Sequence, residues 1–311
     1  MKRTHEPSHL FHIGTYQGNS LDLHVTERTP SRIIFPFRKV RNLILLEGVA
    51  DRLDGYFILD TGAPYLVLNK TYFRDSKIKG EWMAGGVGGT QSSIFATQIS
   101  ELTVQDLSWT DVDADVLSLS HIENKLGAKI LGLLGNALFN QYEMEINLQE
   151  QVMILHTLDN KGNRIHEPEK CNYRNSKCRG KLNSQSNLIL MNAKIAGKRL
   201  TLCMDTGAEM LVLNKVLRKK VLNQVAVDQR MMLHGTDGNR IEVLGGNLYE
   251  LNLPGADLCN VPAIIASLDD MGKAYKIHID GMIGHSLLEK GIFSVNFVRK
   301  EWSFRPYNEE E

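Results

Sequence analysis

A chain of 311 residues that is 42% hydrophobic can hold two domains of ordinary size, each burying a core of its own. Thirty-six basic residues balance thirty-six acidic ones for a formal net charge of zero, which argues against a nucleic-acid footprint or an anionic membrane partner. The longest apolar run, Ile130 to Phe139, falls short of the roughly twenty residues a membrane-spanning helix needs.

Residues 1–31 read as an N-terminal segment of unknown role: extra strand, tail and pro-segment all fit. Met1 to His9 is polar and carries no apolar signal-peptide core. Localisation therefore stays open between the cytoplasm by default and export with a trimmed leader. His5, His9 and His12 cluster on this segment without Cys or Asp beside them, a poor metal set; neither a metal nor another cofactor is expected.

Short β-branched or aromatic runs follow at Ile33 to Pro36, Asn42 to Val49 and Tyr56 to Leu59. Asp51 to Gly55 between the last two reads as a hairpin turn. The third run ends in Asp60-Thr61-Gly62-Ala63, placing an aspartate where a strand enters a tight loop. Gly85-Gly86-Val87-Gly88-Gly89, flanked by strand-forming residues, suits the tip of a β-hairpin able to bend over a bound chain. Leu133-Leu134-Gly135-Asn136 then leads into a short helix-like segment, and Tyr142 to Leu155 is rich in strand formers.

Residues 157–186 are polar and read as a connection. Cys171 and Cys178 within it are spaced to close a small surface disulfide if the compartment is oxidising, whereas Cys203 and Cys259 lie in apolar runs and read as free structural thiols. From residue 187 the pattern starts again: Asn187 to Ile195, a turn at Ala196-Gly197-Lys198, Arg199 to Met204, and then Asp205-Thr206-Gly207-Ala208. His234 to Asn239 is a weaker lid candidate. Met282-Ile283-Gly284-His285 echoes the earlier apolar-apolar-glycine segment, and Ile292 to Phe304 closes the copy.

At an offset of 145 residues, Asn42 to Lys70 aligns without gaps on Asn187 to Lys215, with identities in blocks of four, four and five. One Asp-Thr-Gly is a common turn. Two in matching contexts mark an internal duplication that can set two carboxylates face to face.

These features resemble an aspartic protease of the pepsin and retropepsin class. The residues that carry the resemblance are the two Asp-Thr-Gly-Ala loops, the two apolar-apolar-glycine segments and the glycine flap, over roughly residues 32–307. The chain is most similar to single-chain, two-repeat, retropepsin-like bacterial aspartyl proteases. It departs from the pattern at Pro64, where a small polar residue is usual, and in a second flap that lacks the glycine cluster.

The resemblance implies an all-β, bilobal fold: two pseudo-twofold-related, β-barrel-like lobes, each with a short helix, and an active site between them. Residues 32–156 would form the N-terminal lobe and 187–311 the C-terminal lobe. It implies an aspartic-type endopeptidase that activates water through Asp60 and Asp205. Thr61, Gly62, Ala63, Thr206, Gly207 and Ala208 would support them, and Gly85, Gly86, Val87, Gly88 and Gly89 would form the substrate-binding flap. The partner would be an extended peptide or protein substrate, with Leu66, Val87 and Ile283 as candidate pocket residues. A monomer suffices, since both halves are in one chain. Ala63 and Ala208 have no hydroxyl to donate to the carboxylates, so an activity optimum of roughly pH 5 to 7 is expected. The alternative is a non-catalytic peptide-binding protein that keeps the fold; a β-protein with incidental Asp-Thr-Gly turns is the third reading.

Overall fold

The computed structural model describes residues 30–74, 80–85, 91–165, 178–182, 188–234, 240–254 and 256–307. Each half opens with an antiparallel hairpin, Leu43–Ala50 with Leu53–Leu59 and Ile189–Ile195 with Lys198–Met204. Both hairpins turn on two residues at positive φ, Asp51 and Arg52 (44° and 71°) and Ala196 and Gly197 (49° and 75°). That is the loop geometry whose twist matches paired strands. The Asp51 carboxylate helps hold the first turn by accepting the Ser100 and Glu101 amides at 2.9 and 3.0 Å. The turn is thus tighter than the Asp51 to Gly55 span expected. Gly55 lies within the strand instead, where a β-carbon would fall 2.8 Å from Leu131 Cγ.

After each Asp-Thr-Gly loop comes a fully buried four-residue strand, Leu66–Asn69 or Leu211–Asn214. Each is flanked by a parallel neighbour, Leu107–Leu117 or Ala256–Ala266, and an antiparallel one, Ile130–Leu134 or Gly281–Ile283. Burial on both faces is why Leu-Val-Leu reads as an unbroken apolar run rather than an alternating one. These strands belong to an eight-stranded sheet in the first lobe and a seven-stranded sheet in the second. Each sheet curls back on itself where its first hairpin strand also pairs with a long strand, Leu43–Ala50 with Gln91–Val104 and Ile189–Ile195 with Arg240–Leu253.

A third sheet of six strands joins the halves, in the order Arg32–Pro36, Val152–Thr157, Tyr142–Asn147, Gly291–Asn296, Glu301–Pro306 and Cys178–Lys181. The lobes meet where Met144 faces Val295 and Ile146 faces Phe293. One face of this sheet is apolar: Ile33, Phe35, Leu155, Met144, Ile146, Phe293, Val295, Trp302 and Phe304 enter a core cluster drawn from both lobes. The other face is polar and partly covered. Arg164 there bridges Glu143 at 2.7 Å and Glu145 at 3.5 Å. Each lobe also has a smaller apolar cluster of its own.

The strand Cys178–Lys181 lies within the stretch read as a connection and mirrors Arg32–Pro36 at the opposite edge of the shared sheet. Cys178 is buried and Cys171 lies outside the described residues, as does the His5, His9 and His12 cluster. Cys203 and Cys259 are both free thiols, Cys203 buried and Cys259 exposed: in the strand Ala256–Ala266 it is Leu258 and Val261 that turn inward. Helices are short. Among the described residues no helix is long and apolar enough to cross a membrane.

Candidate active site

The two Asp-Thr-Gly loops meet between the lobes and are held at both ends by main-chain bonds. The Asp60 amide donates to Leu134 O at 3.0 Å and the Asp205 amide to Ile283 O at 2.8 Å. Across the interface the threonines bond reciprocally. Thr61 Oγ1 donates to Met204 O at 3.0 Å and accepts the Thr206 amide at 3.0 Å. Thr206 Oγ1 donates to Leu59 O at 2.6 Å and accepts the Thr61 amide at 3.0 Å. Both threonines are 1% exposed. In so dry a setting each hydroxyl satisfies buried backbone groups that water could not reach.

The carboxyls sit inside this brace. Asp60 Oδ1 accepts the Gly62 and Ala63 amides at 2.9 and 3.1 Å, and Asp205 Oδ1 accepts the Gly207 amide at 2.8 Å. The two carboxyl groups lie within hydrogen-bonding reach of each other. Gly62 makes this approach possible, because a β-carbon there would fall 2.5 Å from Asp205 Cγ. Burial raises both carboxyls. Asp60 goes well above the usual carboxylate range, pushed further by the neighbouring Asp205, against the pull of its two amide donors. Asp205 rises to about 6, chiefly by burial, with the Asp60 hydrogen bond and nearby amides acting against it. Two such groups side by side favour one shared proton, the arrangement for which aspartic proteases are the standing example.

The apolar-apolar-glycine segments buttress the loops from behind. Asn136 Nδ2 donates to Thr61 O at 2.7 Å and its amide donates to Ala63 O at 3.0 Å. The His285 amide makes the matching bond to Ala208 O at 2.9 Å. Gly284 packs so tightly that a β-carbon would lie 1.9 Å from Asp205 O, and Gly135 is equally close to Tyr65 O at 2.1 Å. The lobes differ in the residue after this glycine, Asn136 in one and His285 in the other. The His285 ring is buried, its pKa lowered to about 4 by burial and by Lys39.

Two further residues escaped the sequence reading although the repeat displayed them. Asn69 and Asn214 end the Leu-Val-Leu-Asn strands. Asn69 Nδ2 donates to Ile130 O at 2.9 Å while its Oδ1 accepts the Thr71 and Leu119 amides, each at 3.2 Å. Asn214 makes the equivalent bonds to Ile279 O, Val216 N and Leu268 N. Their identity in both copies was the available signal.

Strands Gly80–Gly85 and Gln91–Val104 pair as a hairpin at the edge of the first sheet, with Gly85 opposite Gln91. Gly86, Val87, Gly88 and Gly89 lie outside the described residues. The second lobe repeats the hairpin with Val225–His234 and Arg240–Leu253, and its tip too lies outside them. The hairpin strand Gly80–Gly85 also comes close to the helix Asp269–Tyr275 of the opposite lobe. Of the candidate pocket residues, Leu66 and Ile283 are instead fully buried, their side chains packed into the central core.

The sequence pattern of the family described as aspartyl protease matches residues 49–138 and 191–287, more than half of the chain and one segment in each lobe. The chain belongs to the aspartyl protease family. No curated protein sequence matches it. Among solved structures, a retropepsin-like aspartic protease from Rickettsia conorii matches at 15% identity and a TM-score of 0.29, over 40% of this chain and 90% of that one. A likeness at that level carries no argument. The family assignment rests on the two matched segments, and these contain both Asp-Thr-Gly loops of this family member.

Proposed function

We propose that this aspartyl protease family member is an aspartic endopeptidase whose catalytic pair is Asp60 and Asp205. The observation that carries the reading is the meeting of two buried carboxyls on loops locked by reciprocal threonine bonds. In this mechanism one carboxyl is ionised and takes a proton from a bound water. The water oxygen forms a bond to the scissile carbonyl carbon, and the protonated carboxyl donates its hydrogen to the carbonyl oxygen as charge develops there. Collapse of the tetrahedral intermediate breaks the C–N bond: the amide nitrogen takes a proton from one carboxyl while a hydroxyl of the intermediate returns its proton to the other, restoring the singly protonated pair. The substrate is a peptide in extended form, lying across the cleft and pairing its backbone with the hairpin Gly80–Gly85 and Gln91–Val104.

The test is cleavage of a mixed peptide library at several pH values, with and without a statine-type transition-state mimic. Asp60→Asn and Asp205→Asn are each expected to lose cleavage by about a thousandfold or more while retaining the fold, a loss on the scale of removing an essential acid or base. A wild-type chain that binds peptides but cleaves none would overturn the reading in favour of a non-catalytic binding protein.

A further inference from the structure

Asp115 lies in the strand Leu107–Leu117, opposite Val67 on one side and Ala96 on the other. Its neighbours Ala114 and Val116 face the central core. The other face of the strand belongs to the small cluster of the N-terminal lobe, with Val67, Leu117, Leu133 and Ala63. Ala63 is the last residue of the Asp60 loop, and its amide is bonded to Asp60 Oδ1. This layer therefore packs directly against the Asp60 loop. Asp115 is 3% exposed, and its Oδ2 is shut from solvent with no hydrogen-bond partner among the described residues. The half-buried Tyr65, two residues beyond Ala63, is the group that feels its charge.

The duplication supplies the control. In the C-terminal lobe the strand equivalent to Leu66–Asn69 pairs Val212 with Ile264, and Ile264, 1% exposed, fills its cluster with hydrocarbon. The fold therefore accepts an aliphatic side chain in this slot. A buried carboxyl oxygen left without a donor is unfavourable, so the N-terminal lobe carries a group that a donor arriving from the cleft would satisfy.

We propose that Asp115 is a specificity-determining residue that receives a lysine or arginine side chain of the substrate, in a subsite beside the half-buried Tyr65. The methylene stem of such a side chain suits the apolar lining, and its cationic end draws the Asp115 carboxyl into its charged form where water is excluded. This rests on the proteolytic reading above.

The experiment compares the wild type with Asp115→Ile, the residue of the twin slot, and with the near-isosteric Asp115→Asn. Paired peptides differ only in lysine or norleucine at each position around the scissile bond. At one position the wild type should favour lysine in kcat/KM by about tenfold or more, the effect of one good charged contact, and both variants should bring that ratio to about 1. A wild type indifferent to lysine at every position, or an Asp115→Ile enzyme that keeps the preference, overturns the proposal and leaves proteolysis standing. If the wild type cleaves nothing, proteolysis fails separately, and calorimetry with reduced-amide versions of the same pairs decides: about tenfold tighter lysine binding, lost in both variants, supports the subsite, and equal binding overturns it.

Discussion

Thr61 and Thr206 each tie one lobe's active loop to the backbone of the other, so their hydroxyls set the separation of the two carboxyls. Thr61→Ala and Thr206→Ala should each cost about 1–3 kcal/mol of stability through buried backbone groups left unpaired. Each should also lower kcat by at least about tenfold, since misplacing reacting groups is expensive, whereas Thr→Ser should restore most of both. Denaturant unfolding and steady-state kinetics check this. In the proposed mechanism the paired carboxyls also set the pH profile. Asp205, raised to about 6, must lose its proton to act as base, while the proton held by Asp60, raised further, must stay. The kcat/KM profile should therefore be bell-shaped, rising through about pH 6 and falling once the second proton leaves. That places the optimum at or just above the upper end of the range expected from Ala63 and Ala208. A profile peaking near pH 2 to 3 would contradict it. Asp115 affects stability in a definite direction. Burial raises it to about 8 from an ordinary 3.8, so the folded state prefers its protonated form, and stability is lost as pH rises from about 4 through 8. Asp115→Ile should be more stable than the wild type by a widening margin, of the order of a few kcal/mol, over that interval; unfolding followed at pH 4, 6 and 8 reads the trend.

Among the elements, the placing of Leu66–Asn69 and Leu211–Asn214 between parallel and antiparallel neighbours decides where the loops point. Asn69 fastens the end of its strand to Ile130 and Leu119, and Asn214 fastens its own to Ile279 and Leu268. Asn69→Ala and Asn214→Ala should each destabilise by about 2 to 3 kcal/mol, because buried amides and carbonyls lose their partner; thermal unfolding would show it. Much at this scale was legible in the sequence. Apolar runs placed the strands, and the turn signals at Asp51 and Gly197 placed the hairpins, because both depend on neighbours in the chain. Gly55 misled, since a glycine demanded by Leu131 packing looks the same as one demanded by a turn. Cys259 is free as expected, but an apolar run does not say which of its residues face solvent. The opposition of Asp115 and Val67 was hidden because a parallel pairing needs a crossover, and no local pattern encodes its register.

For the whole molecule, the shared sheet does what neither copy can do alone. It places Tyr142–Asn147 beside Gly291–Asn296 and so fixes the lobes on either side of the paired loops. Its polar face holds Glu143 and Glu145 close together, with Arg164 between them. Arg164→Ala would take the shared cation from two largely buried carboxylates, leaving Glu143 its bond from Asn296 Nδ2 at 2.9 Å and Glu145 the neighbouring His156 at 4.0 Å, and should cost up to about 3–5 kcal/mol. Burial already raises Glu145, so part of that loss should return as the pH is lowered and the group is protonated; denaturant titrations at two pH values test it. The two halves made as separate chains should show no cleavage alone and recover it only on mixing.

The sequence by itself determined the duplication, the strand-rich class, the hairpin turns and the pair of loops that make an aspartic protease the natural resemblance. These follow from repeat spacing, side-chain periodicity and turn chemistry, all short-range properties. Only the tertiary structure decided the rest: the hydrogen-bonding reach between Asp60 and Asp205, the reciprocal threonine bonds, the shared six-stranded sheet, and the contrast of Asp115 with Ile264. Each depends on segments distant in the chain being packed together, and the free energy that aligns them comes from burying both lobes' apolar faces at once.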